Sequence, residues 1–550
     1  MGKFDQFGSG ETVSIPTKDL LTWIFDNQRY DQNEPIYYDA ANESRTISSH
    51  QARSIIRKLV AGLRAFGLSQ GDCVCVHSFN DIYYSALFLG IIGAGGIFAG
   101  TNPSYTTHEL IHHIRTSKTS ILITEPEMLD NILPAASECG IPKENILIFD
   151  VLGQHVPHGY QSWTQLLQYG EEDWVRFDDL DIAKSSICAR LYSSGTTGLP
   201  KAAMISHYNF VAQHTLVHEM NETNKDYEIR RLHTLPEFHM AAVPIIHIAP
   251  LRDGHVSYVM RRFELPVYLA NLERFKITDI FVVPPLVISI IMSPLSRKHS
   301  LKSVKQASCG AAPLDKEQQA RFKDLLANDA QVTQVWGMTE TTCITTMFRW
   351  PEDDASGSVG MLVPHMRAKL IDDGGNNISA YDTRGEVCIA GPCVIPGYFE
   401  NQQANAASFL PGGWFKTGDV AFCDGRTLKW YIVDRKKELI KVRGFQVAPI
   451  ELESVLLSHP GIVDAAVIGV HLSHEEGELP RAYIVLRPGV GDTLTEKDIK
   501  KYMSEKLASY KSLKGGVRFV ESIPKNATGK ILKRVLKEEA QGEAKCKHML

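Results

Sequence analysis

Between residues 50 and 340 the chain alternates two hydrophobic rhythms. Stretches such as SHQARSIIRKLVAGLRAFG and ELIHHIRTS repeat their apolar residues at helical spacing. Between them lie short apolar runs, CVCVHS, SILIT and FVVPPLV, with the length and composition of buried strands. Alternation of this kind is satisfied when helices cross over between strands of a mostly parallel sheet, so an α/β architecture is expected. At 550 residues the chain exceeds what one hydrophobic core organises, and more than one domain is expected.

The texture changes twice. From about 357 to 433 it becomes short strands and glycine turns (KLIDDGGN, RGEVCIAGP, GGWFKTGD, LKWYIVD), a smaller β-rich subdomain. Then DRKKELIKVRG brings five Lys/Arg into eleven residues. We place a domain boundary there, giving units 1–434 and 435–550. The second unit reads as compact α/β, with a helix around IELESVLLSHP, strands VDAAVIGV and RAYIVLRP, and a helix from TEKDIKKYMSEKLASY. The last fifteen residues are polar and read as frayed.

One loop is built for an anion. In YSSGTTGLPK, residues 192–201, Gly195 and Gly198 let the backbone turn tightly, so that amide groups converge. Ser193, Ser194, Thr196 and Thr197 add hydroxyl donors and Lys201 adds a positive charge. The glycine spacing is not that of a Walker A loop. The flanks ICARLY and AAMISH read as two strands joined by the loop.

Composition excludes several classes. With 58 Lys+Arg against 63 Asp+Glu, a net charge of −5 gives no electrostatic reason to expect nucleic acid. Ten cysteines without a C-x-x-C pair read as free thiols of a reducing compartment. The N-terminus lacks the apolar stretch of a secretory signal. The uncharged run Ile82–Thr107 is broken by glycines and Pro103, so a buried helix followed by a turn is expected rather than a transmembrane segment.

The loop is followed, in order, by LPEFH (235–239), SCGAAPL (308–314), QVWGMTE (334–340), GEVCIAGP (385–392), WFKTGD (414–419), DRKKELIKVRGFQVAPIELE (434–453) and PKNATGKILKR (524–534). In this ordered set the sequence resembles the adenylate-forming acyl-CoA synthetase superfamily, most closely its 4-coumarate–CoA ligase and luciferase-like branch, over residues 35 to 535. The resemblance implies a large N-terminal adenylation domain and a small mobile C-terminal domain. It implies ATP-dependent activation of a carboxylic acid to acyl-AMP, then transfer to coenzyme A, with ATP, Mg²⁺ and coenzyme A as cofactors.

On that resemblance, Ser193 to Lys201 would hold the β and γ phosphates, Glu340 would ligate Mg²⁺, and Thr339 would touch the α-phosphate. Gly310, Ala311 and Ala312 would lie beside adenine with Gln334, Val335 and Gly337. Trp336 stands where the family usually has an adenine-stacking tyrosine. Asp419 would accept the ribose hydroxyls with Arg435 beside it, and Lys530 would bridge carboxylate and α-phosphate. Lys437 matches the hinge, Lys441 and Gln446 residues serving AMP-bound states, and Arg443 with Gly444 the loop beside the pantetheine tunnel, where a side chain at 444 would obstruct the thiol.

His239, Ala241, Ala242 and Ile245, with Val243 nearby, would line the acyl pocket. Hydroxycinnamate-selective members tend to have tyrosine where Ala241 stands. An apolar fatty or aryl acid is therefore expected, since a buried hydroxyl without a partner costs about 1–3 kcal/mol. Three alternatives share most of these motifs: loading of a carrier protein's phosphopantetheine thiol, luciferase-like oxygenation of the adenylate, and a non-catalytic nucleotide-binding protein. The terminal KHML matches the peroxisomal S-K-L signal poorly, and the cytoplasm is expected.

Overall fold

The computed structural model describes residues 6–193, 199–442, 445–471, 478–489, 494–507, 509–526 and 529–548. Two sheets carry the first 340 residues. In one, Ile97–Thr101, Cys73–His77, Thr119–Thr124 and Ile146–Ile148 run parallel side by side. One edge is closed by the antiparallel hairpin Ile187–Ser193 and Lys201–Ser206, which places the YSSGTTGLPK loop at its turn, as the flanking strands predicted.

The second sheet orders Gln331–Gln334, Gln306–Cys309, Asp279–Val282, Arg230–His233, Val256–Val259 and Pro35–Asp39, all parallel. Its outer face packs Leu232, Ile280, Ala307 and Val332 against helices Leu265–Arg274, Pro284–Met292 and Lys316–Lys323. The motif segments leave the carboxyl ends of these strands. LPEFH follows His233, GAAPL follows Cys309 and VWGMTE follows Gln334, the place where α/β sheets bind ligands.

The β-rich subdomain is an antiparallel sheet of Arg367–Ile371, Gly385–Ala390, Trp414–Cys423 and Trp430–Arg435. It also recruits Phe7–Gly8 from the other end of the chain, a pairing no local pattern announces. The small C-terminal domain packs Pro449–Leu457 and Glu496–Lys506 on one face of the strands Ile462–Val470, Leu479–Leu486 and Gly516–Phe519.

Two expectations are corrected, and a third is extended. FVVPPLV is not one strand: the strand ends at Val282, and Pro284 and Pro285 open a helix, because proline's missing N–H costs nothing in a first turn. The buried helix Tyr84–Gly93 is followed by a turn at Gly95, φ +92°, as expected, and the uncharged run then continues into the buried central strand Ile97–Thr101. The polar tail is not frayed: Lys533–His548 is helical, and Leu536 and Ala540 bury against Ala466, Ile468 and Tyr483. Among the described residues no helix is long and apolar enough to cross a membrane, and the cysteines are free thiols.

Candidate active site

Lys201 opens its strand directly opposite Ser193. Its ammonium stands 4.8 Å from the centre of the Tyr398 ring, and the Tyr398 hydroxyl donates to Glu340 Oε1 at 2.7 Å. Tyr398 and Glu340 are buried, at 3% and 6% exposure. A cation, a ring and a carboxylate thus form one chain from the phosphate loop to the TE motif. Burial first and Glu340 next push the Tyr398 hydroxyl well above its ordinary value, so it stays protonated and donating. Tyr398 was missed by motif reading, which stopped at GEVCIAGP; its signal is PGYFE a few residues on.

The TE motif sits on the tight turn Thr339–Thr341, with Thr339 and Glu340 buried. Thr342 and Cys343 follow at positive φ, +52° and +103°, a backbone that ordinary residues rarely adopt. Gly337 has no alternative, since a Cβ there would lie 1.6 Å from the Cys343 carbonyl oxygen. Gly310 faces Val335, and Ala311 holds φ at +70°, so this short wall presents backbone rather than side chains. The Gln334 amide is spent on the GAAPL loop, accepting from Leu314 N at 2.7 Å and donating to its carbonyl at 3.0 Å.

Asp419 anchors the opposite side. Arg435 Nε lies 2.6 Å from its Oδ1, and the Trp336 indole N–H donates to its Oδ2 at 2.8 Å. Trp336 is therefore tied by its edge to the acid expected to take ribose. The register Asp419↔Arg435 makes the ion pair a cross-strand contact.

Lys437 and Lys530 complete the ring of charge. Burial, then Arg435 and Lys201, lower the Lys437 ammonium to about 8 against the pull of Glu438. Burial and Arg435 likewise lower Lys530, which feels Glu438, Asp419 and Glu340 as opposing anions. The backbone of Lys530 is fixed by Asn526, whose Oδ1 accepts from its N–H at 2.9 Å. Gly529, at φ +78°, brings the segment against Pro285, 3.1 Å from where a Cβ would stand. Burial together with Arg435 and Lys201 thus depresses Lys437, and burial with Arg435 depresses Lys530, an arrangement a bound anion would relieve.

His239 lies on the loop after Arg230–His233, held by Asn80, whose Nδ2 donates to Leu235 O at 3.0 Å and whose Oδ1 accepts from Glu237 N at 3.0 Å. His239 Nδ1 accepts from Ala241 N at 3.1 Å, and burial lowers the imidazole to about 4. The neutral ring then carries its proton on Nε2 as a donor. Ala242, Ile245 and Ile246 are buried, with the half-buried Leu235 and Phe281 packed against them; Ala241, adjacent in the chain, is half-buried too. Phe281, on the strand Asp279–Val282, was not anticipated. Ser194, Gly195, Thr196, Thr197, Gly198, Arg443 and Gly444 lie outside the described residues, as do the side chains of Lys441 and Gln446, which are cross-strand partners in a hairpin.

Two parallel-sheet layers, a β-rich subdomain and a small C-terminal domain meeting on a ring of cations define an adenylate-forming enzyme. The sequence profile of the AMP-binding enzyme family matches residues 25–399, and that of the AMP-binding enzyme C-terminal domain matches 451–530. Phenylacetyl-CoA ligase epaB of Aspergillus niger is 52% identical over 538 residues, 97% of this chain and 99% of that protein. Acyl-CoA synthetase ACTT5 of Alternaria alternata is 51% identical over 512 residues, 93% and 88% of the two chains. Among solved structures, ATP-bound MatB from Rhodopseudomonas palustris superposes with a TM-score of 0.82 at 27% identity, covering 95% of this chain and 98% of that one. The chain belongs to the AMP-binding, adenylate-forming enzyme family, and it is an ATP-dependent acid–CoA ligase acting on a small-molecule acid, ATP and coenzyme A.

Proposed function

We propose that this ligase activates an apolar aryl or medium-chain carboxylic acid. The observation that carries the site assignment is the chain from Lys201 over Tyr398 to Glu340, facing the Asp419–Arg435 pair, beside which Lys437 and Lys530 are depressed by burial and Arg435. In this reading Lys201 and the 193–198 loop hold the β and γ phosphates. Gly310, Ala311, Ala312, Val335, Trp336 and Gly337 border adenine, and Asp419 with Arg435 takes the ribose. Thr339 touches the α-phosphate. Mg²⁺, when bound, screens the triphosphate; Glu340 fits as its ligand, because Tyr398 occupies only Oε1.

Lys530 stabilises the charge that develops as the acid's carboxylate attacks the α-phosphorus. His239, Ala241, Ala242, Ile245 and Phe281 shape the acyl pocket, and similarity to a protein named phenylacetyl-CoA ligase supports an arylacetic acid. Residues 435–550 act as the mobile unit, hinged at Lys437. Its rotation withdraws Lys530 and presents Arg443 and Gly444 for the thiol step, while Lys441 and Gln446 serve the AMP-bound states. Buried free thiols suit a reducing compartment, the cytoplasm.

The test is ATP–pyrophosphate exchange over fatty and aryl acids, followed by coenzyme A and a phosphopantetheinyl carrier protein as acceptors. Exchange with apolar acids and thioester formation on coenzyme A are expected. Activity confined to the carrier protein would overturn the acceptor. In Lys530→Ala, exchange should vanish while thioester formation from supplied acyl-AMP largely survives; equal loss of both in a folded variant would refute the division of labour.

A further inference from the structure

The inner face of the second sheet is polar where its outer face is apolar. Arg231, alternating with Leu232, and its registered neighbour Asp279 are buried there. Arg231 contacts Glu222 Oε1 and stands 3.1 Å from His255 Nδ1, which lies 3.3 Å from Glu222 Oε2. His214 Nε2 is 3.0 Å from Asp253 Oδ2, and His218 Nδ1 is 3.3 Å from Glu222 Oε1. Glu222, Asp253 and His255 are close enough together to suggest a metal ion. Arg231 already fills the cation's place, so the cluster is a wall rather than a metal centre. None of these residues belongs to a motif of the adenylation chemistry.

What the wall bounds is set by Phe281. On one side this half-buried ring packs with Ala242, Ile245 and Ile246; on the other it meets the His218 ring at 6.3 Å and the Arg231 guanidinium at 5.5 Å. One aromatic ring separates the acyl-pocket residues from the cluster. The two helical segments that meet here, His214–Glu219 and Val243–Ile248, are both π-helical and touch each other. Such wide turns are rare and gather at functional sites.

The cluster leaves a hydrogen-bonding capacity unanswered. Burial keeps the His218 imidazole neutral, below its ordinary value. With Nδ1–H donated to Glu222, Nε2 on the other edge of the ring is a bare acceptor. It is buried and has no partner among the described residues. Gln213, one residue before the π segment, is fully buried with both amide atoms equally unpartnered. A buried acceptor is costly to leave empty, and the Phe281 ring beside it offers no donor.

We propose that the acyl pocket ends on His218 Nε2, beside Phe281, and that this acceptor selects carboxylic acids carrying an O–H or N–H donor at the end remote from the carboxylate. The inference rests on the ligase reading above and amends its substrate class: the acid is apolar along its length, and its far end carries one donor that Ala241 cannot answer but His218 can. The carboxylate is activated at the His239 end, and the donor is read at the His218 end.

The test uses matched acids, phenylacetate against 4-hydroxyphenylacetate and hexanoate against 6-hydroxyhexanoate, in pyrophosphate exchange with the full chain. The wild type should favour the hydroxylated member of at least one pair by about tenfold in kcat/KM, the worth of one buried hydrogen bond. In His218→Leu that ratio should fall to about one, and His218→Gln, which keeps an acceptor, should restore part of it. A merely structural histidine would lower both members of a pair together. A wild-type preference for the parent acid in both pairs overturns the proposal, as does an unchanged ratio in His218→Leu. If the leucine variant does not fold, the wild-type ratio and the glutamine variant decide. Exchange with no acid at all would overturn the ligase reading itself, and this inference with it.

Discussion

Replacing Tyr398 by phenylalanine isolates a single hydrogen bond. The substitution keeps the ring over which Lys201 sits at 4.8 Å and removes only the hydroxyl that donates to Glu340 at 2.7 Å. Both residues are nearly inaccessible, so water does not replace the lost donor cheaply. A buried bond to a charged group is worth about 1.5–3 kcal/mol, or roughly ten- to a hundredfold in rate if the full value is felt in the transition state. Because burial and Glu340 hold the hydroxyl protonated, the loss should be the same at pH 6 and pH 9. The assay is pyrophosphate exchange beside thioester formation from synthetic acyl-AMP, on one preparation whose melting is checked. Exchange should fall and need more Mg²⁺ to recover, while the thioester step holds. Unchanged exchange, or a parallel fall in both steps, would refute the idea that Tyr398 sets the position of Glu340 for the phosphates.

Three further outcomes are expected. ATP binding should take up a proton near pH 8, because the triphosphate raises the depressed Lys437; affinity should weaken as pH climbs past that value. Calorimetry in buffers of different ionisation enthalpy measures the uptake, and Lys437→Met should abolish it. Glu237→Gln should raise the melting temperature more at pH 8 than at pH 5. Both Glu237 carboxylate oxygens are buried without a partner among the described residues, and burial, then Asp81, raises its proton affinity in the folded state. The wild type therefore loses stability as pH rises above the unfolded carboxyl's value of about 4.3, and equal shifts at the two pH values would contradict this. Ala241→Phe should move preference toward smaller acids, at a packing cost of about 1–3 kcal/mol, and an unchanged chain-length profile would remove Ala241 from the pocket.

Much of this was legible in the chain. The strand–loop–strand reading of residues 187–206 holds because flanking apolar runs and a glycine-rich turn are local signals. The convergence of Lys201, Asp419, Arg435 and Lys530 follows motif order, which encodes positions at strand ends. What was not legible depends on contacts far apart in sequence. Tyr398 reaches Glu340 across 58 positions, and Ser454 reaches Asp315 across 139. Local reading also ran the strand past Val282, since apolar residues followed by two prolines fit either a strand end or a helix start. The terminal helix escaped because its composition is polar; among the described residues its apolar contacts come from Leu536 and Ala540 in its first turns.

On the proposed reading the C-terminal domain must be released between half-reactions, and the contacts that hold it in place suit that. Ser454 Oγ donates to Asp315 Oδ2 at 2.6 Å, while Oδ1 of the same carboxylate caps the helix Lys316–Lys323. Gly529 rests on Pro285 without a side chain to interlock. Lys530 is drawn by Glu438, Asp419 and Glu340 but repelled by Arg435, and burial further disfavours its charge. In that reading the triphosphate supplies counter-charge where burial and Arg435 disfavour the Lys530 ammonium. On the proposed reading, pyrophosphate leaves once acyl-AMP forms and takes the larger share of that counter-charge with it. The same cations that drew the domain in over ATP then repel Lys530, which couples the end of the first half-reaction to the rotation that admits the thiol.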